Sequence, residues 1–159
     1  MAGHRIRRAK CKPTSEVQTL LNQKSAERKL IRLICNNFTE NDVVLTLTYK
    51  ITPSSIYQAQ RALTNFLRRI KRLRAKLGLE PLKYITITEV TRHNGRIRHR
   101  IIMNTGVDGA VLQKQWHVGF IDVQRLHLGE NGASELTTFF VKDRHTYRHW
   151  NSSRSLKFI

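Results

Sequence analysis

Apolar residues first recur at helical spacing at Val17, Leu20, Leu21, Leu30, Ile31 and Ile34. Ser15-x-x-Gln18 has the form of a capping box, so the pattern predicts a helix over about 15–36. Residues 43–49, VVLTLTY, are β-branched and apolar and predict a buried strand. Thr52-Pro53 offers a capping hydroxyl followed by a first-turn proline, which marks the start of a second helix. Ile56, Ala59, Leu63, Phe66, Leu67, Ile70, Leu73 and Leu77 form its apolar stripe, and Gly78 ends it. Residues 82–91 and 96–104 predict two strands joined by a hairpin turn at RHNG. A short helix over 111–116, a strand over 118–123 and a helix over 132–142 follow. The last stretch, RHTYRHWNSSRSLKFI, has no clear period.

A helix followed by the order β-α-β-β-α-β predicts an α+β fold. It would have a single antiparallel sheet with helices on one face and the other face open to a ligand. The expected divisions are a basic arm at 1–12, one domain at 13–143 and a basic tail at 144–159. A chain of 159 residues with 40% apolar content suits one domain with a packed core.

Charge sharpens this picture. Lys and Arg number 29 against 11 acids, a formal net charge of +18. Solubility needs only about 2–8. The excess suits a polyanion, because each neutralised phosphate releases condensed counterions. The acids are also uneven: none falls between Val43 and Leu79, and Glu89 alone falls between Pro81 and Val107. Arg61, Arg68, Arg72 and Lys76 lie across the second helix from its apolar stripe. With Arg96 they are candidate phosphate contacts. Glu89, a lone carboxylate among cations, is a candidate for a defined role.

No apolar run approaches the ~18 residues that span a bilayer, and the basic start leads into no signal-like segment. No membrane role is expected. Cys11 and Cys35 are widely spaced, which suits free thiols in a reducing cytoplasm. The histidines show no compact metal-ligand spacing, so no cofactor and no divalent metal is expected. Trp116 and Trp150 could stack on an unpaired base, but core packing is their ordinary role.

The segments FTENDVVLTLTY, LKYITITE, GRIRHRIIMN, LQKQWHVGFIDVQRL, FFVKD and YRHWNSSRSLK follow one another in this chain. In that order they resemble the rolling-circle replication initiators of phages and mobile elements, the HUH endonucleases. The resemblance runs over about residues 13–157. It implies a prokaryotic or phage-encoded cytoplasmic protein that handles DNA. In that family two histidines flank one residue on a strand and hold a divalent metal with a nearby acid. A helix then supplies a tyrosine that attacks the phosphate, with a lysine one turn later.

Here the pattern is broken. The strand reads Arg98-His99-Arg100, with arginine at both ligand positions. The helix reads Phe139-Phe140-Val141-Lys142, with Phe139 in the nucleophile's place. Glu89 and Lys142 stand at matching positions. The resemblance thus implies a domain that has lost cleavage and kept binding. Arg98 and Arg100 would hold phosphate beside Glu89, with Lys142 nearby. Thr46 and Thr48 would border the site. The expected partner is single-stranded DNA, hairpin DNA or RNA. Two alternatives stay open: an inhibitor of a host nucleoprotein complex such as a CRISPR effector, and a metal-dependent nickase with an unorthodox site.

Overall fold

The computed structural model describes residues 15–91, 93–128 and 146–157, with the backbone alone at 146–150. Helix α1 spans Glu16–Asn37, and the Ser15 hydroxyl accepts the Gln18 N–H at 3.2 Å, the N-cap half of the expected box, while the Gln18 side chain donates to Asn22 Oδ1 at 3.0 Å. Its C-terminal half buries Leu30, Leu33 and Ile34. Val17, Leu20 and Leu21 were expected on the same buried stripe, yet they stay 56–68% exposed. The stripe is continuous in sequence, but the helix outruns the sheet it packs on.

Strand β1 is Val43–Tyr49, as expected. Helix α2 spans Ile56–Lys76 and begins later than Thr52-Pro53 implied. Its cap is Ser55, which accepts the Gln58 N–H at 3.2 Å, while Gln58 Oε1 accepts the Ser54 N–H at 3.2 Å. This reciprocal pair satisfies two end donors and leaves Pro53 in the approach to the helix. The buried stripe of α2 closes on Arg74, one turn after Ile70, whereas Leu77 is the exposed C-cap.

Arg74 is buried although it stands in the acid-free cationic stretch. Its Nε donates to the Glu80 carbonyl at 2.8 Å, and its Nη1 donates to the Asn104 and Thr105 carbonyls at 3.2 and 3.0 Å. Burial pushes its pKa down, and the charges of Glu80 and Asp42 oppose that shift. The guanidinium ties the end of α2 to the loop that follows the third strand. Arg74→Ala should lower stability by about 1–3 kcal/mol in urea unfolding, since three carbonyls lose a charged donor. Arg74→Lys should recover only part of it, because one ammonium cannot reproduce the guanidinium fork.

The remaining elements are β2 (Tyr84–Thr91), β3 (Ile97–Met103), α3 (Gly109–Gln115), β4 (Gly119–Arg125) and β5 (Thr146–Ser152). The strands form one antiparallel sheet in the order β4-β1-β3-β2-β5. The α+β architecture expected from the sequence is present. Strand β5 was not expected: it lies in the segment read as a tail without a period. It exists by pairing with β2 from Ile85 to Thr91.

Alternating side chains divide this sheet into two faces. Leu45, Leu47, Ile101 and Met103 pack under α2 and α3 against Leu63, Phe66, Leu67, Ile70, Leu112 and Trp116. Trp116 is a core residue, and its indole N–H donates to the Thr48 carbonyl at 2.9 Å. On the opposite face, Val44, Ile85 and Ile102 pack against Leu30, Leu33 and Ile34 of α1 and against Leu126 and Leu156. So α1 covers one end of the face that the sequence left wholly open.

Strand β4 closes against β1 through Gly119, which stands opposite Tyr49. A Cβ there would lie 1.7 Å from the Thr48 carbonyl oxygen, so only glycine allows the approach. Among the described residues, no helix is long and apolar enough to cross a membrane.

Candidate functional site

The register defines what remains on the uncovered end of the α1 face. One row runs Phe120 on β4, Thr48 on β1, Arg98 on β3, Glu89 on β2 and the position of Arg148 on β5. The next row runs Asp122, Thr46, Arg100, Ile87 and the position of Trp150. Directly opposed residues in antiparallel strands share a face, so Arg98, Arg100, Glu89, Thr46 and Thr48 do assemble as expected.

Their environments differ. Glu89 is only 2% exposed and accepts the Arg98 Nε–H at 2.6 Å. The Arg98 side chain remains 49% exposed. Glu89 thus takes one of the five guanidinium donors of a side chain that stays half in solvent. Arg100 is half-buried between Thr46 and Ile87. Thr48 is exposed, and its hydroxyl makes a long 3.4 Å bond to the Phe120 carbonyl.

Phe120 was given no role in the sequence, yet it is 64% exposed on this face. A signal for it was present. In GFIDVQR it shares strand parity with Asp122 and Gln124, which marks a polar face, while Ile121 and Val123 take the other parity. A phenylalanine on the polar side of an edge strand is a candidate stacking surface.

His99 is turned the other way. It is fully buried beneath α2 and α3. Its Nδ1 meets the Thr88 hydroxyl at 2.8 Å and its Nε2 meets the Tyr49 hydroxyl at 2.6 Å. Gln60 Nε2 donates to Thr88 Oγ1 at 3.2 Å, and the Tyr49 hydroxyl donates to the Ala59 carbonyl at 3.2 Å. Every member is satisfied when Gln60 donates to Thr88, Thr88 to His99, His99 to Tyr49 and Tyr49 to Ala59. That direction needs a neutral imidazole protonated on Nε2. Burial agrees with it, lowering the His99 pKa from 6.5 to about 4 and raising that of the Tyr49 phenol.

The remaining predicted contacts fall elsewhere. Arg61, Arg68, Arg72 and Lys76 are exposed on the outer side of α2, across the sheet from Arg98 and Arg100. They form a separate cationic surface. Arg69 does not join them, because its Nε and Nη2 grip the Gln115 carbonyl at 3.2 and 2.8 Å and hold the end of α3. Arg96 is exposed at the hairpin, next to the Arg98 row. Lys142, Phe139, the helix expected over 132–142, the arm at 1–12 and the Trp150 side chain lie outside the described residues. Among the described residues, no three His, Cys, Asp or Glu side chains gather as a metal site would need.

The chain matches no protein-family model, no curated protein and no solved structure. Its chemistry therefore has to be read from the two surfaces themselves. Among the described side chains of the two rows, Arg98 and Arg100 stand with Glu89 and Asp122, so charges of both signs share the face. The outer side of α2 is the reverse case, with charge in plenty and no geometry that selects a ligand.

Proposed function

We propose that the protein binds single-stranded or hairpin nucleic acid on the open end of its sheet without cutting it. The observation that carries this reading is one surface holding two placed arginines and an exposed phenylalanine in adjacent register rows. Arg98, half in solvent, offers guanidinium donors for phosphate, and Arg100, whose Nε and Nη1 are buried, adds positive charge beside it. Phe120 offers a ring face for an unpaired base. Asp122 disfavours phosphate over β4. The backbone then runs over β3 and β2, with a base reaching across to Phe120.

The same reading treats the chain as a degenerate relative of rolling-circle initiators. Arg98 and Arg100 hold the positions where metal-ligating histidines would stand, and His99 between them is buried on the other face. Fixed guanidinium charge beside Glu89 then takes the place of a cation.

The test is a titration of a labelled hairpin, its duplex form and a structured RNA over a salt series. Manganese is present, and a denaturing gel is run on the same samples. Binding should favour the ligand with unpaired bases and leave no covalent adduct. Phe120→Ala should weaken binding about tenfold, as the loss of one stacked base implies. A covalent protein–DNA adduct would overturn the non-cutting reading. Equal affinity for duplex and hairpin, unaffected by Phe120→Ala, would overturn the sheet-face reading.

A further inference from the structure

A second cationic surface lies on the α1 side of the molecule. It is a groove of about 510 Å³ between α1 and the segment after β5, lined by Ser25, Arg28, Lys29, Arg32, Leu33, Asn36 and Lys157. Ser25, Arg28, Lys29, Arg32 and Asn36 follow the spacing of one helix face, and among the described residues no acid lines the groove.

The construction of this groove argues for a ligand. Arg32 lies one turn after both Arg28 and Lys29, at the i,i+4 and i,i+3 spacings where like charges destabilise a helix. The fold then adds a fourth cation. The Asn37 side chain accepts the Lys157 N–H at 2.7 Å and donates to the Lys157 carbonyl at 3.0 Å. The same amide also donates to the Leu33 carbonyl at 2.8 Å. Leu156, the preceding residue, is anchored in the core under α1. Lys157 is therefore held at the groove by its backbone on both sides, and self-repulsion among the four cations favours an anion between them.

Its position relates it to the sheet face. Helix α1 sits over Ile102, and Arg100 is two residues earlier on β3, about 7 Å along the strand. The open rows and the groove thus share one side of the sheet, whereas the α2 cations occupy the other.

We propose that this groove is a phosphate-backbone track, which takes phosphodiesters of the strand whose bases meet the sheet face. The inference rests on the reading that the ligand is nucleic acid. The track supplies attraction near a sheet site whose own described charges nearly cancel, and it fixes the direction in which a strand leaves that site. Asn37 is its positioning residue, acting through Lys157.

The test uses the full chain with labelled oligothymidylates of about 6 and about 20 nucleotides, titrated over a salt series. The triple variant Arg28→Gln/Arg32→Gln/Lys157→Gln should reduce the slope of log affinity against log salt by about 2 for the longer strand, close to 0.7 per lost contact. It should leave the shorter strand unchanged. Asn37→Ala should reduce the longer strand's slope by about 0.7, a change that lost stability alone would not produce. Circular dichroism confirms that each variant is folded. An unchanged slope for the longer strand in the triple variant would overturn the track. If Arg98 and Arg100 variants keep full affinity for the shorter strand while the triple variant loses the longer one, the sheet reading falls and the track stands. Absence of binding to either oligonucleotide by the unaltered protein overturns both.

Discussion

Replacing Arg98 and Arg100 together by glutamine should weaken binding to a single-stranded hairpin by about 100-fold or more. Each charge-assisted hydrogen bond to phosphate contributes about 1.5–3 kcal/mol, and about 1.4 kcal/mol is tenfold. Glutamine keeps much of the reach and loses the charge and the fork. Stability should fall as well, because Glu89 is only 2% exposed and loses its 2.6 Å bond, so circular dichroism must confirm that the variant is folded. The informative control is a set on the other side of the sheet: Arg61→Gln, Arg68→Gln, Arg72→Gln and Lys76→Gln. That set should flatten the salt dependence and leave the preference for hairpin over duplex intact. Unchanged affinity in the double arginine variant, with large losses in the α2 set, would move the site to the helix. The sheet separates the two surfaces, which makes the comparison clean.

Acidification should destabilise the protein through His99. Its pKa in the folded state is about 4 against 6.5 when exposed, so between these values the unfolded chain binds the proton more readily. Stability from this group is complete above pH 6.5 and is lost as pH falls toward 4. A shift of this size corresponds to about 3 kcal/mol. Urea unfolding across that window should show the loss, and His99→Gln should show a correspondingly flatter profile. Histidine resonances give an independent check. The His99 ring should stay neutral through pH 5 in the folded protein, with the proton on Nε2. An ordinary titration near 6.5 would contradict the buried network.

Much of this architecture was legible because periodicity reports burial directly. Val43–Tyr49 and the stripe of α2 are long enough, and regular enough, to fix an element and its inward face. The facing of His99 away from Arg98 and Arg100 followed from the two-residue period of a strand. What escaped has physical reasons. The consecutive apolar pairs Val43-Val44 and Ile101-Ile102 meant burial on both faces, and therefore a helix on the second one. The pattern alone predicts a buried strand at Val43–Tyr49, a strand at 96–104 and a sheet with one face left open. Strand β5 has no strong pattern of its own, and its conformation is set by the partner it pairs with. Arg74 looked like one cation among many, since nothing local announces that three carbonyls converge on it. Phe120 was passed over because an aromatic in a strand reads first as core.

The position of β5 has a bearing on how the chain matures. Strand β2 sits in the middle of the sequence, yet its outer neighbour is synthesised more than fifty residues later. Until Thr146–Ser152 emerge, a nascent chain carries an open sheet edge and lacks Leu156 beneath α1. Asn37 likewise waits for Lys157, 120 residues away. Residues 146–157 must therefore emerge before the described sheet can close, and they finish both the core and the cationic groove.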